Sequence, residues 1–224
     1  MPNLLILGST GALGGAILEK YRAEKWDATC AVRKVVNDCD IQLPLTSDAL
    51  GSKKFDAVVF AQGANVNGSA MQTGTNELNE LFAANITVIA ESISTLMSAD
   101  AIKEGGRVVI LSSIWEQFTR QEKFAYTVTK AAVGGMVRSL AVDLGRQKKI
   151  LVNGILPGIV NSPMVARTLS PEQIANVLSQ TPIGELATPL DVANSVYMFG
   201  SELNTGISGQ SIFVDRGFSV ARTI

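Results

Sequence analysis

Apolar positions along this chain follow two rhythms. Short, almost wholly aliphatic runs alternate with longer segments in which apolar residues recur every three or four positions. The runs Asn3–Leu7, Ala28–Val32, Cys39–Gln42, Ala57–Phe60, Arg107–Leu111, Leu151–Ile155 and Ser211–Val214 predict strands. They do not alternate apolar with polar, as expected of parallel strands covered on both faces. Helical spacing links Leu78, Leu81, Phe82, Ile86, Ile89, Ile93 and Leu96 in one intervening segment. It links Val128, Ala132, Val133, Met136, Leu140 and Leu144 in another. Strands alternating with helices predict an α/β fold, a doubly wound parallel sheet of about seven strands. No low-complexity linker interrupts the pattern, so residues 1–224 read as one domain.

One link breaks the rhythm. Arg33 and Asp40 are seven residue steps apart, whereas a parallel crossover needs a dozen or more residues. At ~3.3 Å per residue the link reaches about 23 Å. It can serve only a short third strand, and the helix between strands 2 and 3 should be missing.

Composition narrows the chemistry. The chain is 46% hydrophobic and 17% charged with a net charge of −1, which excludes a disordered chain and a basic nucleic-acid footprint. No apolar run approaches the ~18 residues needed to span a bilayer, and no signal peptide is evident, so a cytoplasmic location is expected. Cys30 and Cys39 read as reduced, buried thiols. The chain has no histidine, so acid–base chemistry falls to Tyr, Lys or carboxylates, and no metal site is expected.

The first strand runs into Gly8-Ser9-Thr10-Gly11-Ala12-Leu13-Gly14-Gly15 and then a helix over Ala16–Arg22. A glycine-rich strand-to-helix turn lets backbone N–H groups approach a pyrophosphate at the positive end of a helix. In a Rossmann-type sheet, that is where a dinucleotide lies. An ordinary tight turn is the alternative. Tyr126 and Lys130 stand at i and i+4 on one helix face. A cation near a phenol stabilises phenolate and is expected to lower the Tyr126 pKa toward neutrality. Ser113 closes the fifth strand thirteen residues before Tyr126, where open α/β sheets place ligands. Its hydroxyl can donate to a carbonyl oxygen that is gaining charge. Asn85 interrupts an apolar stripe as either a satisfied core amide or a functional one.

With these residues in place, the chain resembles a short-chain dehydrogenase/reductase of the compact, single-domain branch, similar to 3-oxoacyl-carrier-protein reductases. The family's Asn–Ser–Tyr–Lys tetrad falls on Asn85, Ser113, Tyr126 and Lys130. The stretch from Asn153 through Pro157, Gly158, Ile159, Val160 and Ser162 resembles the family's segment over the nicotinamide. Pro182-Ile183-Gly184 and Gly209–Asp215 resemble its C-terminal stretches. Phe60-Ala61-Gln62-Gly63 stands where the family has Asn-Asn-Ala-Gly, and Arg216 and Glu116 stand at family glycines. Glu116 and Trp115 are expected to reshape the substrate pocket.

The resemblance implies a hydride-transferring oxidoreductase acting on a small carbonyl or secondary alcohol, with Tyr126 as acid/base. Lys130 would hold the nicotinamide ribose, and Asn85 a water linking Lys130 to solvent. Gly8, Ser9, Thr10, Gly11, Leu13 and Gly14 would cradle the dinucleotide, with Ala61, Gln62 and Gly63 beside it and Asp40 and Ile41 lining the adenine. The second strand ends in Arg33-Lys34 rather than in an acidic residue, so NADP(H) is preferred, with NAD(H) the alternative. Residues 162–181, with Met164, Leu169, Ile174 and Arg167, would cover a medium-sized, partly apolar substrate. A 3-oxoacyl thioester and an amino-sugar or polysaccharide precursor are candidates. A non-catalytic NADP(H)-binding regulator is the rival of another class. Ala90, Ala132, Gly134, Gly135 and Met136 suggest a homodimer or homotetramer through the helices carrying Asn85 and Tyr126.

Overall fold

The aliphatic runs pair side by side and all run parallel. They are β1 (Asn3–Leu7), β2 (Asp27–Val32), β3 (Asp40–Gln42), β4 (Phe55–Phe60), β5 (Ile102–Leu111), β6 (Leu151–Pro157) and β7 (Ser211–Val214). Their order is β3-β2-β1-β4-β5-β6-β7. This computed structural model describes residues 1–221 apart from 36, 38, 39, 163, 164 and 166–168. Expectations placed on Cys39, Met164 and Arg167 therefore lie outside the described residues. The other cysteine, Cys30, is buried on β2.

Successive side chains of a strand point to opposite faces, so each strand feeds two cores. Leu5, Leu7, Val58, Phe60, Val108 and Ile110 pack on one face. They meet α4 (Val88–Ser98), which continues a helical span begun by α3 (Thr75–Phe82), and the long α5 (Phe124–Lys148). Leu4, Ile6, Val59, Val109, Leu111 and Ile155 pack on the other, against α1 (Ala12–Ala23) and a C-terminal helix, Pro189–Gly200. Between β2 and β3 the described residues form no helix, as the short link requires. A one-turn helix, α2 (Ser47–Leu50), follows β3. A further helix, α6 (Pro171–Gln180), precedes Pro189–Gly200, which is α7.

Three expectations change. The strand β5 begins at Ile102 rather than Arg107. Phe55 pairs with Ile102 before the register shifts between Phe55 and Ala57, and the intervening Lys103-Glu104-Gly105-Gly106 carries no apolar signal. The expected stripe on α5 holds at Val133 and Leu144, which are buried, and at Met136 and Leu140, which pack on the core, but Val128 is exposed and Ala125, Thr129, Lys130 and Val137 are buried instead. Thirdly, the helical span Thr75–Ser98 is 24 residues long with a hydropathy of 1.4, enough by length and composition to cross a bilayer. Its Leu81, Ile89, Ile93 and Leu96 are buried, and the last three belong to the core under the sheet.

The contact between α1 and α7 is close-fitting. Tyr21 is fully buried, edge-on to Trp26 at 5.0 Å and to Tyr197 at 5.2 Å. A Cβ on Gly200 would lie 2.1 Å from the Tyr21 hydroxyl oxygen. Gly200→Ala is therefore expected to destabilise the fold by about 1–3 kcal/mol, the usual cost of overpacking. Tyr21→Phe in the same chain removes the clashing oxygen and should recover much of the loss. Urea denaturation of the two single variants and the double variant reads this as non-additivity.

Candidate active site

Strand order reverses between β1 and β4, and ligands of open α/β sheets lie at such a crevice. The glycine turn after β1 sits there. Gly8 has φ +85°, and a Cβ on it would lie 2.5 Å from the Gln62 nitrogen. A Cβ on Gly14 would lie 2.0 Å from the Gly8 carbonyl oxygen. Both glycines are thus demanded by backbone packed on backbone. Gly11 is different: its nearest neighbour stands 3.6 Å away, so a methyl group would fit. It is the N-cap of α1, without a side-chain cap, and it lines the cleft. The first N–H groups of α1 therefore open toward the cleft beside Leu13 and Gly14. Ser9 is half-buried and Thr10 exposed on the same turn.

Asn85 settles as a satisfied amide with a positional role. Its Oδ1 accepts from the Ala64 N–H at 2.8 Å, and its Nδ2 donates to the Ala64 carbonyl at 3.0 Å and to Thr129 Oγ1 at 3.0 Å. It ties the loop after β4 to α5. The residue sits in a π-helical turn, Ala83–Thr87, joining α3 to α4 where periodicity predicts one regular helix. Such wide turns recur at functional sites. Gly63 lies against this clamp, with its would-be Cβ 3.1 Å from Asn85 Oδ1 and 3.6 Å from Lys130 Nζ.

Ser113, Tyr126 and Lys130 converge on one cleft of about 370 Å³. Ser113 follows β5, and its Oγ accepts from the Trp115 N–H at 3.3 Å. The Lys130 ammonium is 5.6 Å from the centre of the Tyr126 ring and donates to the Leu111 carbonyl at 3.1 Å. The expected lowering of the Tyr126 pKa is corrected here. Desolvation pushes the phenol up to about 12, and a hydrogen bond from Ser113 only partly offsets it. Burial also pulls Lys130 down to about 8, opposed by the Glu116 carboxylate. Lys130 lies beside the ring without bonding the phenol oxygen, so the low dielectric outweighs its charge.

Pro157, at the end of β6, and Gly158, Ile159, Val160 and Ser162 beyond it line the cleft. A second cavity of about 500 Å³ shares Trp115, Arg120, Ile159 and Leu169 with the first. The helix α6 contributes Gln173, Asn176, Val177 and Gln180 to its wall, whereas Ile174 does not line it. Trp115 reaches both cavities, but Glu116 reaches neither and is corrected to a buried packing residue. A Cβ on Gly134 would lie 2.5 Å from Glu116 Oε1, so this glycine makes room for Glu116 within the same chain. It is thereby removed from the surface available for association. At the other family glycine, Arg216 adopts φ +56° and pairs with Glu185 and Asp191, tying the turn after β7 to α7.

The adenosine side is more open. Arg33 and Lys34 are exposed at the end of β2 and do not line the cleft. The Asp40 carboxylate accepts from the Asn37 backbone at 2.9 Å. Ile41 is corrected from an adenine-lining side chain to a core residue, because its place on β3 turns it inward beside Ala31. Ala61, Gln62 and Gly63 line the cleft. Both polar atoms of the Gln62 side chain are buried without a hydrogen-bond partner. A buried amide in that state is costly, and a nucleotide's polar groups at this position would satisfy it. The uncapped α1 N-terminus and this amide together fit a dinucleotide.

Lys123 is the site residue that sequence reasoning missed. It is 6% exposed, donates to Asn65 Oδ1 at 2.9 Å and stands 5.3 Å from the centre of the Tyr126 ring. A cation three positions before the candidate tyrosine was the available signal. Burial and the neighbouring Arg120 pull its pKa down to about 8.

Lys123 and Lys130 thus titrate near 8 when folded, against an ordinary 10.5. Between those values the unfolded chain binds more protons, so unfolding free energy should rise as pH climbs from about 8 to about 10.5. Below that window both states are protonated and the slope vanishes. Lys123→Met should flatten the rise by on the order of 1–3 kcal/mol, read by urea denaturation across the window.

A family model described as Enoyl-(Acyl carrier protein) reductase matches residues 21–219. The 2,5-dichloro-2,5-cyclohexadiene-1,4-diol dehydrogenase LinX of Sphingobium indicum is 32% identical over 191 residues, covering 80% of this chain and 75% of that enzyme. The 7alpha-hydroxysteroid dehydrogenase of Escherichia coli is 33% identical over 126 residues, 56% of this chain; the match spans 49% of that enzyme, about half its length. The 3-oxoacyl-acyl-carrier-protein reductase FabG of Vibrio harveyi is 24% identical over 95% of this chain and 86% of its own. In three dimensions, ElxO with NADP bound superposes with a TM-score of 0.82 over 97% of this chain and 98% of its own, at 20% identity. That likeness speaks to the fold, and the sequence matches speak to descent: this chain belongs to the short-chain dehydrogenase/reductase family.

Proposed function

We propose that this chain is an NADP(H)-dependent oxidoreductase that reduces a carbonyl, or oxidises a secondary alcohol, with Tyr126 as acid/base. The observation that carries the reading is the meeting of Ser113, Tyr126 and Lys130 in one cleft that also opens onto the glycine turn. When bound, NADP(H) supplies or accepts the hydride. Ser113 donates a hydrogen bond to the substrate oxygen and so favours the charge that builds there. The Tyr126 hydroxyl hands its proton to that oxygen in reduction and recovers one in oxidation. Its raised pKa suits the acid role, since the phenol stays protonated at neutral pH. Lys130 supplies positive charge beside the phenol and a donor toward a ribose hydroxyl. Asn85 acts on these groups by positioning: its clamp to Ala64 and Thr129 holds the loop and α5 in register. Trp115, Leu169 and Val177 give the neighbouring cavity an apolar wall that suits a partly apolar substrate.

The preference for NADP(H) rests on Arg33 and Lys34, two exposed cations at the end of β2 with room for a 2′-phosphate. NADP in the ElxO structure is consistent with that choice. Association through α4 and α5 belongs to the same reading. Gly135 has open space where a Cβ would stand, unlike Gly134, and light scattering at micromolar concentration should return the mass of two or four chains.

Tyr126→Phe should lower kcat by roughly 10²-fold or more in a carbonyl panel read by nicotinamide absorbance. NADPH binding, followed by its fluorescence, should stay within about threefold of wild type; a variant that keeps most of its turnover overturns the role. Arg33→Ser should cut the ratio of kcat/KM for NADPH over NADH by about tenfold, the loss of one charge-assisted contact.

A further inference from the structure

The walls of the two cavities are unbalanced in charge. Arg120, Lys123 and Lys130 line them, and no aspartate or glutamate does among the described residues. None of the three cations forms an ion pair among the described residues. Lys130 belongs to the hydride-transfer site. Lys123 has no part in that step, yet it too is a buried residue. Its ammonium donates to a neutral amide oxygen, Asn65 Oδ1, and carries two further N–H donors. Removing an ammonium from water without a counter-charge is costly. The depressed pKa of Lys123 records that cost, and Arg120 adds to it. An anion held by the two cations would offset both the lost hydration and the mutual repulsion.

The dinucleotide does not supply that anion by position. Its pyrophosphate is expected at Gly11–Gly14 on the α1 N-terminus. Arg120 is exposed and lines both cavities, the second of which holds Trp115, Phe118 and Leu169 and no residue of the glycine turn. Lys123 is fixed at the start of α5, where Gly68 bonds the Phe124 and Glu122 backbone on either side of it. Its ammonium lies 5.3 Å from the ring centre of Tyr126, within the reach of a small substrate bound at the phenol.

We propose that Arg120 and Lys123 form an anion-binding subsite beside Tyr126, so that the substrate of this site is a carbonyl or alcohol bearing a carboxylate or phosphate close to the reacting carbon. This rests on the hydride-transfer reading for the reaction, but the subsite itself is a matter of binding. The subsite selects among substrates while Ser113 and Tyr126 act on the carbonyl. It narrows the substrate from an apolar ketone to an acidic one with a short apolar portion against Trp115.

The test uses the NADPH-loaded full chain and two pairs of probes that differ in charge. One pair is 4-oxopentanoate and its methyl ester; the other is dihydroxyacetone phosphate and dihydroxyacetone. Calorimetric titration gives each Kd, and nicotinamide absorbance gives turnover in the same arms. Wild type should bind the anion of at least one pair about tenfold or more tighter than its neutral partner; which pair responds tells carboxylate from phosphate. The double variant Arg120→Gln/Lys123→Gln should lose that preference, while Lys123→Arg should keep it. Retained NADPH affinity shows that each variant is folded. No preference in either pair for wild type, or a preference that survives in the double variant, overturns the subsite. A charge preference in binding with no turnover in any arm supports the subsite and refutes hydride transfer to these carbonyls, so the two readings fail separately.

Discussion

The Asn85 amide is the joint on which the site depends. One side chain accepts from the Ala64 N–H, donates to the Ala64 carbonyl and reaches Thr129 on α5. These bonds fasten three parts of the chain that share no local sequence: the loop after β4, the turn between α3 and α4, and the helix bearing Tyr126 and Lys130. The bond to Thr129 is buried and the two to Ala64 are partly buried, and a lost partner there leaves a costly orphan. Gly63 packs on the clamp because any larger residue would press on Asn85 Oδ1 and approach Lys130 Nζ. The π turn at Ala83–Thr87 is the local departure from regular helix at which this amide sits.

Electrostatics around that joint runs against a simple pairing of phenol with ammonium. Tyr126 and Lys130 both shift toward their neutral forms, because each is desolvated and neither bonds the other. Glu116 supplies a carboxylate felt by Lys130, and it fits only because Gly134 lacks a side chain. A residue read along the sequence as a pocket change is therefore a buried carboxyl group behind Lys130. Lys123 extends the same theme to the substrate side. The site as a whole is a low-dielectric cleft with excess positive charge, suited to negative charge that develops on, or arrives with, its ligand.

Much of this was legible in the order of residues. The β1 turn, the Tyr126–Lys130 spacing and the position of Ser113 all rest on local geometry, namely strand ends, helix period and glycine conformation. The structure brings those residues together in one cleft. The short link from Arg33 to Asp40 likewise predicted, by reach alone, that no helix would stand between β2 and β3, and none does among the described residues. What went astray depended on neighbours distant in sequence. Ile41 turns into the core, Glu116 turns away from the pocket, and Val128 gives up the buried face of α5 to Thr129 and Lys130.

By itself the sequence determined a doubly wound α/β chain, its strand count, a glycine-rich turn after the first strand and the candidate residues that meet in one cleft. Periodicity, chain reach and glycine placement are properties of neighbouring residues, and they carry through folding unchanged. Only the tertiary structure decided which glycines are forced by contact, that Asn85 is a clamp, that desolvation overrides charge at Tyr126, and that Lys123 joins the site. Each of those turns on which atoms meet across the sheet and how much water is left between them.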